Sequence, residues 1–284
     1  MHIDGETQIV GIIGCAIEYT LSPAIQNAAF RSSGMNWVYI PFQVAADELE
    51  GAVAGSRALG LRGFNVTIPH KIEIVRYLDE LRGVAGTLRT VNTVACEEGK
   101  LMGYNTDVEG FRRFLQEAGV RAEGSSVLLV GAGGAARAVV LALAEEGASR
   151  IFIMNRTPDK AVELAGLLKR PTSVSEISVR TFDLEGSRVL GECDIVVNCT
   201  PLAGSDADQL PLDYGGFSAE KWAIDLKYAA GDTAFLREAS VRGAQTADGE
   251  GMLLHQAAAS FRLWTGRPAP LQEMRQAYRD ALVS

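Results

Sequence analysis

The chain has no excess of positive charge: 27 lysines and arginines face 35 aspartates and glutamates over 284 residues, a formal net charge of -8. That balance disfavours non-specific binding to nucleic acid or to an anionic membrane, since both need surplus cations. An anionic ligand must therefore be held by local cations and backbone amides. Cysteine and histidine are scarce, at four and three. Cys15, Cys96, Cys193 and Cys199 do not fall at metal-ligand spacing, and His2, His70 and His255 form no cluster with them, so reduced thiols and no metal site are expected. No apolar run reaches the roughly 18 residues of a membrane span. The opening MHIDGETQ, acidic at Asp4 and Glu6, does not read as a secretory signal, and the expected location is the cytoplasm.

The composition is otherwise that of a globular protein, 47% hydrophobic and 22% charged, and the length suits two domains. The organising stretch is SSVLLVGAGGAAR, residues 125–137. Its apolar run followed by glycines and an alanine-rich segment reads as a buried parallel strand, a tight turn and a helix. The turn matches G-x-G-x-x-G/A through Gly131, Gly133 and Ala136, the pattern that brings a pyrophosphate to a helix N-terminus. About 20 residues on, where an NAD site would carry an acid, stand Asn155, Arg156 and Thr157, with Lys160 following. A missing carboxylate and two cations suit a 2′-phosphate, so the expected cofactor is NADP.

Before this turn, strands are expected at 9–14, 36–42 and 63–67, with helices after Ser22-Pro23, over 46–59 and after Pro69, a βαβ pattern implying a parallel sheet. Ser22 is expected to cap its helix and Lys71 to begin the one after Pro69. A hairpin over 91–104 leads to a helix from Asp107 to 118, capped by Thr106. Later strands are expected at 151–154, 179–182, 195–198 and 223–226, with a helix over 160–168. The boundary is expected at 119–124, giving a nucleotide-binding domain over 119–251. The last helices, 252–264 and 271–283, are expected to fold back, making the other domain discontinuous over 1–118 plus 252–284.

Eight segments in order carry a resemblance: GIIGCAIEYTLSPAIQNAAF, GFNVTIPHK, VNTV, GYNTDVEGF, VLLVGAGGAARAV, NRTPDKA, NCTPLAG and GEGMLLHQAA. Across nearly its whole length the chain resembles the shikimate/quinate dehydrogenase family. The resemblance implies an α/β protein with an N-terminal α/β substrate domain and a Rossmann-type doubly wound nucleotide-binding domain. It implies an oxidoreductase for the NADPH-dependent, reversible reduction of 3-dehydroshikimate to shikimate, on the route to chorismate and aromatic amino acids. Lys71 and Asp107 match the family's catalytic pair, positions that spacing alone would not single out. Asn65, Thr67, Asn92 and Gln256 match its ligands for substrate hydroxyls, Tyr228 a further substrate contact, and Thr20 and Ser22 the hydroxyls that hold the substrate carboxylate. Gly131, Ala132, Gly133, Gly134, Ala135, Asn155, Arg156, Thr157, Lys160, Thr200, Gly249 and Met252 fall at its cofactor site. The expected partner is shikimate or 3-dehydroshikimate, with no nucleic acid and no membrane; a homodimer is allowed.

Departures leave the substrate open. Tyr19-Thr20 replaces a usual His-Ser, Leu88-Arg89-Thr90 replaces Ile-Gly-Ala and sets a cation in the chain near Asn92, and Ala230 stands where proline often follows the tyrosine. Quinate or an amino- or hydroxyl-altered shikimate is an alternative substrate; the alternative functions are a quinate/shikimate dehydrogenase with broader substrate or NAD use, and a non-catalytic nucleotide- and shikimate-binding sensor. Retention of Lys71 and Asp107 argues against the sensor.

Overall fold

The apolar runs do become strands and the alanine-rich runs helices, in a computed structural model that describes residues 3–167, 174–200, 210–228 and 231–283. The chain forms two compact units, Met1–Gly110 with Leu254–Ser284, and Phe111–Leu253.

The first unit holds β1 (Gln8–Gly14), α1 (Ser22–Ser32), β2 (Trp37–Gln43), α2 (Leu49–Ala58), β3 (Gly63–Val66), β4 (Glu80–Leu81), α3 (Val84–Leu88), β5 (Thr93–Glu97) and β6 (Lys100–Tyr104), and α4 (Asp107–Ala118) starts in it. Its six-stranded sheet runs β2-β1-β3-β5-β6-β4. Only the β2-β1-β3 part follows the parallel βαβ pattern. β5 is antiparallel to both neighbours; it meets β6 in a hairpin that returns the chain at once, whereas a parallel crossover needs a dozen or more residues. Phe64, Val66, Ile74, Val91 and Val94 fill the core beside this sheet.

The second unit holds β7 (Ser126–Val130), α5 (Gly134–Glu145), β8 (Arg150–Met154), α6 (Pro158–Leu167), β9 (Glu176–Arg180), α7 (Leu184–Ser187), β10 (Ile195–Asn198), β11 (Trp222–Asp225), α8 (Ala234–Val241) and β12 (Gln245–Ala247). All six strands are parallel, in the order β12-β11-β10-β7-β8-β9. Counting from β7, this is the 3-2-1-4-5-6 order of doubly wound dinucleotide folds, and its reversal point lies between β7 and β10. Val127 to Val130 are fully buried, as a strand covered on both faces requires. The chain returns to the first unit within α9 (Glu250–Thr265) and ends in α10 (Leu271–Leu282), which packs on α1. Phe261 of α9 stacks on Phe30 at 5.4 Å.

Four local expectations are corrected. Ser22 is not the cap: the Leu21 carbonyl already accepts from Ile25 N at 3.1 Å, so the helix begins a residue earlier and Ser22 makes no capping bond. Lys71 does not begin an α-helix. It lies in a turn ahead of a 3-10 segment, Glu73–Tyr77, where the β-branched Ile72, Ile74 and Val75 disfavour a full α-helix. The strand expected at 179–182 lies earlier, at Glu176–Arg180, and Phe182 packs on the core from the turn that follows. The span 46–59 opens with a 3-10 turn, Ala46–Glu48, before α2. Helix α8, unforeseen, is capped by Thr233, which accepts from Leu236 N at 3.3 Å. Ala230, residues 201–204 of NCTPLAG, and Leu168 lie outside the described residues.

Candidate functional site

In the first unit the expected catalytic pair is formed. Lys71 Nζ lies 2.6 Å from Asp107 Oδ2, with side chains 15% and 5% exposed, so solvent screens the pair little. The turn carrying Lys71 is tied down by Val91 N donating to the Lys71 carbonyl at 2.8 Å. Asp107 opens α4, its amide received by Asn105 Oδ1 at 3.1 Å. Asn92 Nδ2 donates to the other carboxylate oxygen, Oδ1, at 2.7 Å. The amide cannot be flipped, since Asn92 Oδ1 accepts from Thr106 N, a donor only, at 2.7 Å.

Gln256 joins this group, its Oε1 3.4 Å from Asn92 Nδ2. Glycine makes that approach possible: a Cβ on Gly110 of α4 would sit 2.8 Å from Gln256 Cβ. Thr67 is half-buried at the end of β3, with no hydrogen-bond partner for its hydroxyl among the described residues. Thr20 Oγ1 receives Ser22 N at 3.4 Å, a long bond. Asn65 is placed differently from an exposed ligand. It is buried, its Oδ1 accepts from Tyr39 OH at 2.7 Å, and its Nδ2 faces Asn92 O, Thr93 Oγ1 and Ser260 Oγ at 3.0 to 3.1 Å. Arg89 sits in left-handed backbone (φ 50) at the end of α3 with its side chain exposed. Left-handed backbone is uncommon outside glycine, so this residue is conspicuous.

The sequence reading missed several members. Thr106 bonds Asn92, and its place between Asn105 and Asp107 was the available signal. Thr93 directly follows Asn92 in the VNTV segment, which was its signal; Ser260 and Tyr39 are distant in sequence from the catalytic pair and gave none. His70, next to Lys71, is a core group: its Nε2 donates to Val44 O at 2.8 Å and lies 3.9 Å from Cys15 Sγ.

The second unit brings the glycine turn to the reversal point of its sheet. Gly131 has φ +109, which L side chains rarely adopt, and a Cβ there would press on Cys199 at 3.1 Å. Gly133 is the N-cap of α5, no side chain caps that helix, and Gly134 and Ala135 form its first turn. Its leading amides are thus open to an anion. Ala136 is fully buried and Ala132 nearly so. At the end of β8, Asn155 Nδ2 holds Thr157 O at 2.8 Å, while Arg156 and Lys160 are exposed and have no ion pair among the described residues. Amides for a pyrophosphate and two available cations for a further phosphate fit NADP. Thr200 follows β10, its amide and hydroxyl held by Asn198 Oδ1 at 3.0 and 2.7 Å. Gly249 is pressed against Leu226 O, Met252 is buried, and Tyr228 is half-buried.

Asp225, not foreseen, is buried at the end of β11. It accepts from Asn198 Nδ2 at 3.2 Å, Lys227 N at 3.1 Å and Thr233 Oγ1 at 2.8 Å. Burial raises its carboxyl above the usual value. Among the described residues no helix is long and apolar enough to cross a membrane, and no three metal-ligating side chains cluster.

Comparison with known proteins agrees with this geometry. Residues 12–94 match the shikimate dehydrogenase substrate binding domain, 114–204 the shikimate / quinate 5-dehydrogenase family, and 249–277 the shikimate 5'-dehydrogenase C-terminal domain. The shikimate dehydrogenase (NADP(+)) of Moorella thermoacetica is 41% identical over 99% of this chain and 96% of its own. That of Methanothermobacter thermautotrophicus is 44% identical over 99% of both. A Thermus thermophilus shikimate 5-dehydrogenase solved with NADP(H) and shikimate superposes with a TM-score of 0.84 at 35% identity, over 96% of this chain and 99% of that one. With such identity along almost every residue, the chain belongs to the shikimate dehydrogenase family.

Proposed function

We propose that the chain catalyses the reversible, NADP(H)-dependent interconversion of 3-dehydroshikimate and shikimate. The observation that carries this reading is the Lys71–Asp107 pair, with Asn92 on the free carboxylate oxygen, set among the Thr67, Thr106 and Gln256 polar groups. When bound, NADP(H) supplies or accepts the hydride. Lys71 does the proton work. An ammonium has three N–H donors, and Asp107 takes one, leaving the others for the substrate oxygen. As a ketone is reduced, negative charge grows on that oxygen, and Lys71 stabilises it and delivers a proton. Asp107, itself held from two sides, limits where the ammonium can point.

In this reading Thr20 and Ser22 receive the substrate carboxylate, Thr67, Asn92 and Gln256 its hydroxyls, and Tyr228 a further contact. Asn65, saturated by protein partners, holds the site together more than it touches substrate. The first unit is the substrate domain. In the second, Gly131 to Ala135 cradle the pyrophosphate, Asn155 to Thr157 and Lys160 take the 2′-phosphate side, and Thr200, Gly249 and Met252 border the cofactor. The enzyme acts in the cytoplasm, a reading its four free thiols support.

The test is absorbance at the reduced-nicotinamide band with shikimate and quinate, each paired with NADP and NAD. Turnover is expected with shikimate and NADP. Silence in all four pairs overturns the enzymatic reading; faster turnover of quinate overturns the substrate.

A further inference from the structure

The groups around Asp107 rest on a second layer of hydroxyls that none of the catalytic roles above uses. Thr93 lies in β5 directly opposite Asn65 of β3 and Tyr104 of β6, in the middle of the sheet. Its side chain is fully buried, so it touches neither substrate nor cofactor. Yet its Oγ1 has four polar neighbours: Ser260 Oγ at 2.8 Å, Asn65 Nδ2 at 3.0 Å, Asn92 Oδ1 at 3.1 Å and Thr106 Oγ1 at 3.2 Å. Ser260, also fully buried, adds Asn65 Nδ2 at 3.0 Å, Gln256 O at 3.0 Å and Thr106 Oγ1 at 3.3 Å.

A hydroxyl gives one hydrogen and accepts two, which restricts how this cluster can be wired. In one arrangement Thr93 donates to Asn92 Oδ1 and accepts from Asn65 and Ser260. In another Ser260 donates to the Gln256 carbonyl, Thr93 donates to Ser260, and Thr106 serves Asn92 Oδ1. In the first, the Thr93 hydroxyl joins the Thr106 N–H on Asn92 Oδ1, which holds Nδ2 toward Asp107. The Asn65 amide is likewise set, since Nδ2 faces the Asn92 carbonyl, which can only accept, and Oδ1 receives Tyr39 OH. Valine would fill the same space at residue 93 and suits a strand, so packing alone does not call for threonine.

We propose that Thr93 is a positioning residue for the reaction: its buried hydroxyl, with that of Ser260, orients Asn92 and Asn65 so that Asp107 and Lys71 are held in working geometry. This rests on the catalytic reading of Lys71 and Asp107 given above. Thr93→Val removes the hydroxyl at constant shape, and Thr93→Ser restores it. For Thr93→Val we expect kcat/KM for shikimate to fall ~10 to 100-fold, the cost of loosened positioning, with the KM for NADP unchanged. Thr93→Ser recovers most of the loss. In nitrogen-15 spectra the side-chain amide signals of Asn65 and Asn92 move in the valine variant and return in the serine variant.

A valine variant with parental kcat/KM and unmoved amide signals overturns the proposal. A parent without shikimate turnover overturns the catalytic reading instead, and the amide signals then decide alone whether Thr93 orients the two asparagines. If Thr93→Val does not fold, Ser260→Ala, which takes away the other hydroxyl on the Asn65 amide, is read by the same kinetics and signals, with the same result expected and the same result fatal.

Discussion

Asn92 donates its side-chain amide to Oδ1 of Asp107 at 2.7 Å, the carboxylate oxygen that Lys71 leaves free. One carboxylate is thus gripped on both oxygens, and the ammonium it directs has little room to wander. Disturbing either grip should show in turnover before it shows in cofactor binding.

Lys71→Ala removes the proposed proton donor. Turnover should fall by about 10² to 10⁴-fold, the range for a positioned acid-base group, with NADP affinity unchanged. Steady-state kinetics with a cofactor titration check this; near-parental turnover removes Lys71 from the mechanism.

Asn92→Ala unhands Asp107 and leaves the buried Thr106 N–H without its acceptor. A buried donor left unpaired costs about 1 to 3 kcal/mol, which urea unfolding should register. Catalytic efficiency toward shikimate should drop as well. A variant as stable and as active as the parent contradicts the geometry described here.

Arg156→Ala tests the cofactor preference. Charge-assisted hydrogen bonds contribute about 1.5 to 3 kcal/mol each, so the NADP-over-NAD ratio of kcat/KM should shrink by roughly 10 to 100-fold. The loss should come from NADP, with NAD values little changed. An unaltered ratio means that Arg156 does not meet the 2′-phosphate.

Asp225 predicts a pH effect on stability. Burial raises its folded pKa above the usual 3.8, because the ionised form is poorly solvated there. The folded protein therefore holds this proton more tightly than the unfolded chain. Its contribution is present in full below pH 3.8 and is lost as the pH rises through the folded value. Asp225→Asn has no such proton to lose, so its melting temperature should gain on the parent's as the pH climbs. Melts across about pH 3.5 to 7 give that difference, and a gap independent of pH refutes the assignment.

Much of the second unit was legible in the chain. Val127 to Val130 are buried on both faces, and Gly131 needs a backbone conformation open to glycine, so local sequence dictated strand, turn and helix. Arg156 and Lys160 stood out because no carboxylate occupies the position where NAD requires one, and both lie exposed after β8. The first unit was less transparent. Ser22 looked like a cap, and β-branched residues after Lys71 shortened a helix that spacing suggested.

What the sequence by itself determined is most of the order of elements, the glycine turn ahead of α5 and, through motif resemblance, the choice of Lys71 and Asp107 as the proposed catalytic pair. Tertiary structure decided how they are held. Asn65, Asn92, Thr93, Thr106, Gln256 and Ser260 come from β3, β5, the junctions before β5 and α4, and α9, up to 195 residues apart, and meet only where antiparallel β5 faces β3 and Gly110 lets α9 approach α4. Periodicity marks such residues as inside or outside. Which buried hydroxyl faces which amide depends on strand register and helix approach, and those are set by packing far along the chain.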